Sequence, residues 1–222
     1  MSDTAVLIVA CLMLGSSLLA QEQPRDLKGN GHSLGETAEQ FFSEGQVGDL
    51  AQACQDKDWK TVKRLFKNPD YASKNNAKDI CAKQKLVMQQ ATSGTRLEYN
   101  GPGDDKSMRA DTFTFDGDHL VKIHMFYTAP VANVEGFHPK SFGELFEGLQ
   151  EAYGPPSKTY SEPWLDPIGL RYEAHHALWM RQQDVISINE EPGTDGRTEI
   201  VAETLREYDR AAHAPKSANP LQ

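Results

Sequence analysis

Hydrophobic positions in this chain keep a helical period, drop to a strand period, and then do both again. Val47, Leu50, Ala51 and Cys54 recur at i, i+3, i+4 and i+7, which is one face of a 3.6-residue turn. Trp59, Val62 and Phe66 continue the habit. Ala77, Ile80, Cys81, Gln84 and Val87-Met88 form a longer stripe after the break "KNPDYASKNN". A short helical segment at 36–44 precedes them. From residue 95 the period falls to two. "TRLEY" predicts a short strand, "GPGDDKSMR" a loop, and "DTFTFDGDHLVKIHMFY" a hairpin turning at Asp116-Gly117. Phe113 and Phe115 alternate before that turn, and Leu120, Val121, Ile123, Met125 and Tyr127 follow it.

The linker "TAPVANVEGFHPK" leads to a further helix. Phe142, Leu145, Phe146, Leu149 and Tyr153 share one face, Ser141 is its N-cap, and Glu144 completes a capping-box pattern. Gly154 can take the left-handed conformation that closes a helix, and Pro155-Pro156 cannot continue one. Tyr153-Gly154-Pro155-Pro156 therefore reads as a structural turn that aims the chain from helix to sheet. Strands are expected around 168–180, 184–190 and 197–205, with "RQQD" and "EEPGTDG" as turns. Trp179 alternates with Ala177 and belongs to a buried strand face.

These elements predict an α+β fold with helices packed on an antiparallel sheet. A helical region plus hairpin occupies 36–128, and a helix plus antiparallel strands occupies 141–206. Helices followed by strands thus occur twice, as a degenerate tandem repeat would give. Leu34-Gly35-Glu36 and Phe142-Gly143-Glu144 echo one another, with little else aligned. The polar stretches 21–35 and 207–222 read as a flexible lead-in and a flexible tail.

The first twenty residues change the compartment rather than the fold. "AVLIVACLML" followed by small residues up to Ala20 has the form of a secretory signal peptide, though "MSDT" lacks the usual basic residue. Cleavage after Ala20 is the preferred reading, and lipidation at Cys11 within "IVAC" is the alternative. Cleavage leaves Cys54 and Cys81, an even pair in an exported chain, hence an expected disulfide joining two helices and no membrane span in the mature protein. The net charge is −9 with no basic stripe, which argues against nucleic acid or anionic lipid as partners.

The run of helix, "AYGPP", the "ALW" strand (Ala177 to Trp179) and "VISINE" resembles small exported bacterial domains of the β-lactamase-inhibitor-protein-like and SmpA/OmlA-like type, over 142–204. That resemblance implies a helical pair on a small antiparallel sheet. It also implies non-enzymatic work, either binding a protein partner or supporting the envelope, and it carries no catalytic residues to transfer.

Candidate chemistry is sparse. In "YEAHHALW", His175 and His176 point to opposite faces of a strand and cannot chelate one ion together, while Glu173 shares a face with His175. His119 and His124, an odd number apart, are expected on opposite faces. Asp104, Asp105, Asp111, Asp116 and Asp118 lie close in sequence but lack calcium-loop spacing and read as turn and surface acids. No nucleophile, phosphate or dinucleotide motif is present, and no cofactor is expected. Trp59 is a core or interface anchor, and Trp164, between two prolines in a loop, is the candidate interface residue. The expectation is an exported binding or structural protein of the bacterial envelope or secretome. The alternative is a small secreted metal-dependent or hydrolytic enzyme using His and Asp residues on the strands.

Overall fold

Several helices begin where a side chain takes the place of a missing backbone partner. Thr37 Oγ1 accepts from the Gln40 N–H at 3.2 Å while Gln40 Oε1 accepts from the Thr37 N–H at 3.0 Å, and Ser141 with Glu144 repeats that reciprocal cap. The structure, a computed structural model, describes residues 26–66, 77–101, 109–128, 141–165, 168–192 and 196–213. The signal segment, Cys11, Asp104 and Asp105 lie outside those residues.

In the first half, helices α1 (Ala38–Ser43), α2 (Gly45–Gln55), α3 (Trp59–Leu65) and α4 (Ala77–Thr92) precede strands β1 (Leu97–Asn100), β2 (Arg109–Asp116) and β3 (His119–Thr128). The second half runs α5 (Phe142–Tyr153), β4 (Lys158–Leu165), β5 (Arg171–Met180), β6 (Asp184–Glu191), β7 (Arg197–Thr204) and α6 (Leu205–His213). All strand pairs are antiparallel in one sheet ordered β1-β2-β3-β7-β6-β5-β4. Each half is a meander with a helix before its first strand, and the last strands of the two, β3 and β7, meet at the centre. The α+β class and antiparallel sheet are as the periodicity predicts.

The main core lies between the helices and one sheet face. Phe41 and Phe42 of α1 and Leu145 and Leu149 of α5 pack with Phe113, Phe115, Ile123, Trp179, Ile186 and Ile200. Phe41 meets Phe113 and Phe115 edge-on, at centroid distances of 4.8 and 5.1 Å. A satellite core of Leu50, Ala53, Val62, Ala77 and Ile80 joins α2, α3 and α4, with Trp59 packed against it. The Cys54–Cys81 disulfide ties α2 to α4 beside this cluster, with the Cα atoms 5.4 Å apart.

Several expectations change. Trp164 sits within β4, the strand onto which the Tyr153–Pro156 turn aims the chain, rather than in a loop. Nearly every β4 side chain is exposed, so no alternation marks it, and Pro163 is tolerated because β4 is a sheet edge where a proline nitrogen can face outward. The tail is helical through His213. Thr204 Oγ1 accepts from the Glu207 N–H, Glu207 is buried, and its carboxylate takes two hydrogen bonds from Arg96 at 2.5 and 3.0 Å. The lead-in is anchored from Asp26 onward: Leu27 packs on the main core, and His32 is buried against Phe41 with Nδ1 2.9 Å from Glu36 Oε2.

Parity along β3 also differs from simple alternation. Phe115 pairs with Leu120 but Thr114 pairs with Lys122, so Val121 is an extra residue in a β-bulge. The bulge lets Leu120 and Ile123, three apart, both face the core. It also puts His119 and His124 on the same side of the sheet by register, reversing the expectation of opposite faces.

Candidate binding face

The sheet face turned away from the main core carries a transverse line of side chains from five strands. Tyr160 of β4 pairs with His176 of β5, His176 with Asn189 of β6, Asn189 with Glu199 of β7, and Glu199 with Phe126 of β3. Directly opposed residues point the same way, so the five share one face. None are neighbours in sequence, and only the antiparallel order of the sheet aligns them.

The line is joined by polar and ring contacts. Tyr160 lies flat on the His176 ring, centroids 4.7 Å apart and planes 14° from parallel, and Lys158 Nζ sits 5.1 Å from the Tyr160 ring centre. His176 Nδ1 is 3.0 Å from Asn189 Oδ1, which requires Nδ1 to donate. Its Nε2 lies 3.5 Å from Glu162 Oε1, within ion-pair reach, yet it makes no well-formed hydrogen bond and is buried. The proximity is therefore real but the bond is not, and only a protonated imidazole would donate on both sides. At the other end His124 Nε2 is 3.2 Å from Glu199 Oε2, and the His124 ring lies 3.7 Å from that of Phe126. The hydrogen bond from His124 holds the Glu199 carboxyl below its usual range, against the opposing effect of burial.

Trp164 extends the same face, directly opposite Tyr172 in the β4–β5 register, and both are half-buried. Tyr160 remains 45% exposed, and the hairpin continues outward to the exposed Leu165, Ile168 and Leu170. Aromatic area, a few polar groups and an exposed rim are the make-up of recognition surfaces.

The remaining candidates scatter. His175 points to the helix side, where its ring is 6.0 Å from that of Phe142, so the two adjacent histidines do face apart. A contact invisible to sequence reasoning joins Ser161 Oγ to His175 Nδ1 at 3.2 Å across β4 and β5. Among the described residues no carboxylate side chain hydrogen-bonds that imidazole, and Glu190 accepts instead from the His175 backbone N–H at 3.3 Å. Asp111 is buried on β2, Asp116 binds Arg210, and Asp118 pairs with His119. Among the described residues no group of three or more His, Cys, Asp or Glu side chains is placed to hold a metal ion. No helix among them is long and apolar enough to cross a membrane.

Tyr153, Gly154, Pro155 and Pro156 form the turn expected of them. Gly154 caps α5 with φ +78° and ψ −169°, and its carbonyl accepts from the Trp179 indole. Trp59 and Trp179 are packed in the satellite and main cores respectively. Compared with known protein families, characterised proteins and solved structures, the chain finds no significant match.

Proposed function

We propose that the protein is an exported, non-enzymatic binding module of the bacterial envelope or secretome that docks a protein partner on the open face of β4 and β5. The observation that carries this reading is the Tyr160–His176 stack continued by Trp164 and Tyr172. It is aromatic surface left accessible on regular strands, whose backbone holds the side chains in place before any partner arrives. The Cys54–Cys81 disulfide supports an oxidising compartment, in keeping with the signal-like N-terminus.

Site-specific photo-crosslinking tests the reading. A photoreactive residue at Glu162 should trap a discrete protein from envelope extract, and the same residue at the exposed Lys60 of α3 should not. Tyr160→Ser with Trp164→Ser should lose the adduct while the fold is retained. Equal trapping from both positions, or none from Glu162, counts against the proposal.

A further inference from the structure

Among the described residues, β4 leaves one side of its backbone without a strand beside it. It is an edge of the sheet, eight residues long, with every side chain except that of Trp164 exposed. The opposite edge, β1, has only four residues. A long open edge is a template for another strand. Which amides face outward follows from the β4–β5 pairing. Ser161 lies opposite His175, yet the His175 N–H donates to Glu190 Oε2 on β6 at 3.3 Å rather than back to Ser161. The two are therefore a pair without mutual backbone bonds, and the Ser161 N–H points away from β5.

Amides alternate along a strand, so the Thr159 N–H points outward too, and so does the nitrogen of Pro163, which has no hydrogen to give. At the other end Ser157 gives its N–H to Leu178 O on β5. The outward donors of Thr159 and Ser161 are thus flanked by two positions that offer none. This arrangement is symmetric about Tyr160, and so is the charge. Lys158 lies two residues before Tyr160 and Glu162 two after it, all three on the open face. Lys158 rests over the Tyr160 ring, and Glu162 stands 3.5 Å from His176 Nε2 without a well-formed hydrogen bond. Among the described residues neither is matched by a permanent opposite charge.

We propose that β4 pairs with β4 of a second copy of this chain, antiparallel and with Tyr160 opposite its own copy. Thr159 of each copy then faces Ser161 of the other, and every outward N–H of the two meets a carbonyl. Lys158 faces Glu162 on both sides of the two-fold axis, a favourable cross-strand pair made twice. Pro163 falls opposite Ser157, at the ends of the ladder, where no donor is needed. A slip of two residues would instead bring Pro163 into the ladder opposite Thr159 and set Glu162 against Tyr160. The same patch is used by both copies, so the contact closes at a dimer. Two strand edges cover less area than a standard interface, and the dimer therefore dissociates on dilution. It uses the edge of β4 rather than its face, and it stands whether or not that face docks another protein.

Sedimentation equilibrium of the full disulfide-bonded chain, from micromolar to millimolar concentration, tests the proposal. A monomer–dimer equilibrium is expected. Lys158→Glu or Glu162→Lys alone should weaken dimerisation by about tenfold, because each sets like charges against one another twice. The two substitutions together restore opposite charges and should return the wild-type constant. Thr159→Pro removes an outward donor without touching a bond to β5, and should prevent dimerisation with the fold retained. The charge variants alter exposed side chains only and keep the test valid if the proline variant does not fold. A monomer at millimolar concentration, single charge variants that dimerise like wild type, a double variant that does not recover, or a folded Thr159→Pro that still dimerises would each overturn it.

Discussion

The indole N–H of Trp179 donates to the carbonyl oxygen of Gly154 at 2.8 Å, tying the C-terminus of α5 to β5, the strand next to the sheet edge. The two residues are 25 apart in sequence, and the bond satisfies a donor and an acceptor that burial would otherwise leave costly. Immediately beyond, Ser157 donates its N–H to Leu178 O at 2.7 Å and accepts from the Met180 N–H through Oγ at 3.0 Å. The chain therefore leaves the helix, turns at Gly154-Pro155-Pro156, and is stitched to β5 within three residues. Leu149 and Tyr153 pack on the core that holds Trp179, so the turn fixes the helix across the strands.

Gly154→Ala should destabilise the fold by about 1 kcal/mol or more, because φ +78° with ψ −169° falls in a region nearly reserved for glycine. The cost is conformational alone, since a Cβ there meets nothing within 4 Å. Thermal melts measure it. Binding of any partner to the folded variant should be unchanged, and an unaltered melt with lost binding would make the turn a recognition element instead.

The disulfide holds the satellite core more than the main one. Replacing Cys54 and Cys81 with serine should lower stability by about 2–5 kcal/mol, through a freer unfolded chain and a loosened α2–α4 contact. Amide exchange should rise first in α2, α3 and α4, with the sheet protected longest. A melt within a degree of wild type would show the bridge to be unimportant.

How far the fold was legible follows the chemistry of each element. α5 and its stop were readable because apolar period, cap and breaker coincide in one stretch. Cys54 and Cys81 were readable by count and by face. The continuation of β4 past Tyr160 through Trp164 was not, because an edge strand exposed on both sides has no hydrophobic alternation to read. α6 was missed because its buried residue is Glu207, a charge admitted by partners that lie 111 residues upstream at Arg96 and three residues downstream at Arg210. Of the candidate face, only Trp164 and the divergence of His175 from His176 could be anticipated. The Tyr160–Phe126 line depends on strand order and register, which no local pattern encodes.

Acid should loosen α6 before the rest of the molecule. The Glu207 carboxyl is held below its usual range chiefly by the hydrogen bond from Arg96, and that of Asp116 chiefly by the one from Arg210, in both cases against burial. A lowered folded-state pKa means that the unfolded chain takes up the proton first. The stabilisation is therefore complete above the unfolded values, near 4 for these side chains, and is lost as pH falls through the folded ones. Glu203 acts in the opposite sense, since burial raises its carboxyl. Melts between pH 6 and pH 3 should show wild type converging on Glu207→Gln as acid is added. A gap that stays constant with pH would mean the Arg96 contact contributes nothing through charge.

The bulge at Val121 gives the sharpest test of how the open face is built. Leu120 opposes Phe115 on the core side and Lys122 opposes Thr114 on the other, with Val121 between them and unpaired. Removing Val121 would leave Leu120, Lys122, Ile123 and His124 in regular alternation, with every one still on its present face. Removing Met125 instead would shift the strand beyond it by one residue relative to β2 and β7, exchanging core for open positions from Phe126 onward. Deletion of Val121 should therefore fold, at a cost of about 1–2 kcal/mol for lost local twist and packing. It should also keep the His124–Glu199 contact, visible as a retained histidine signal shift. Deletion of Met125, which is almost fully buried, should not give a folded protein. If the two deletions are equally damaging, the strand does not tolerate regularisation at this point, and the bulge contributes to the sheet in some way beyond setting parity.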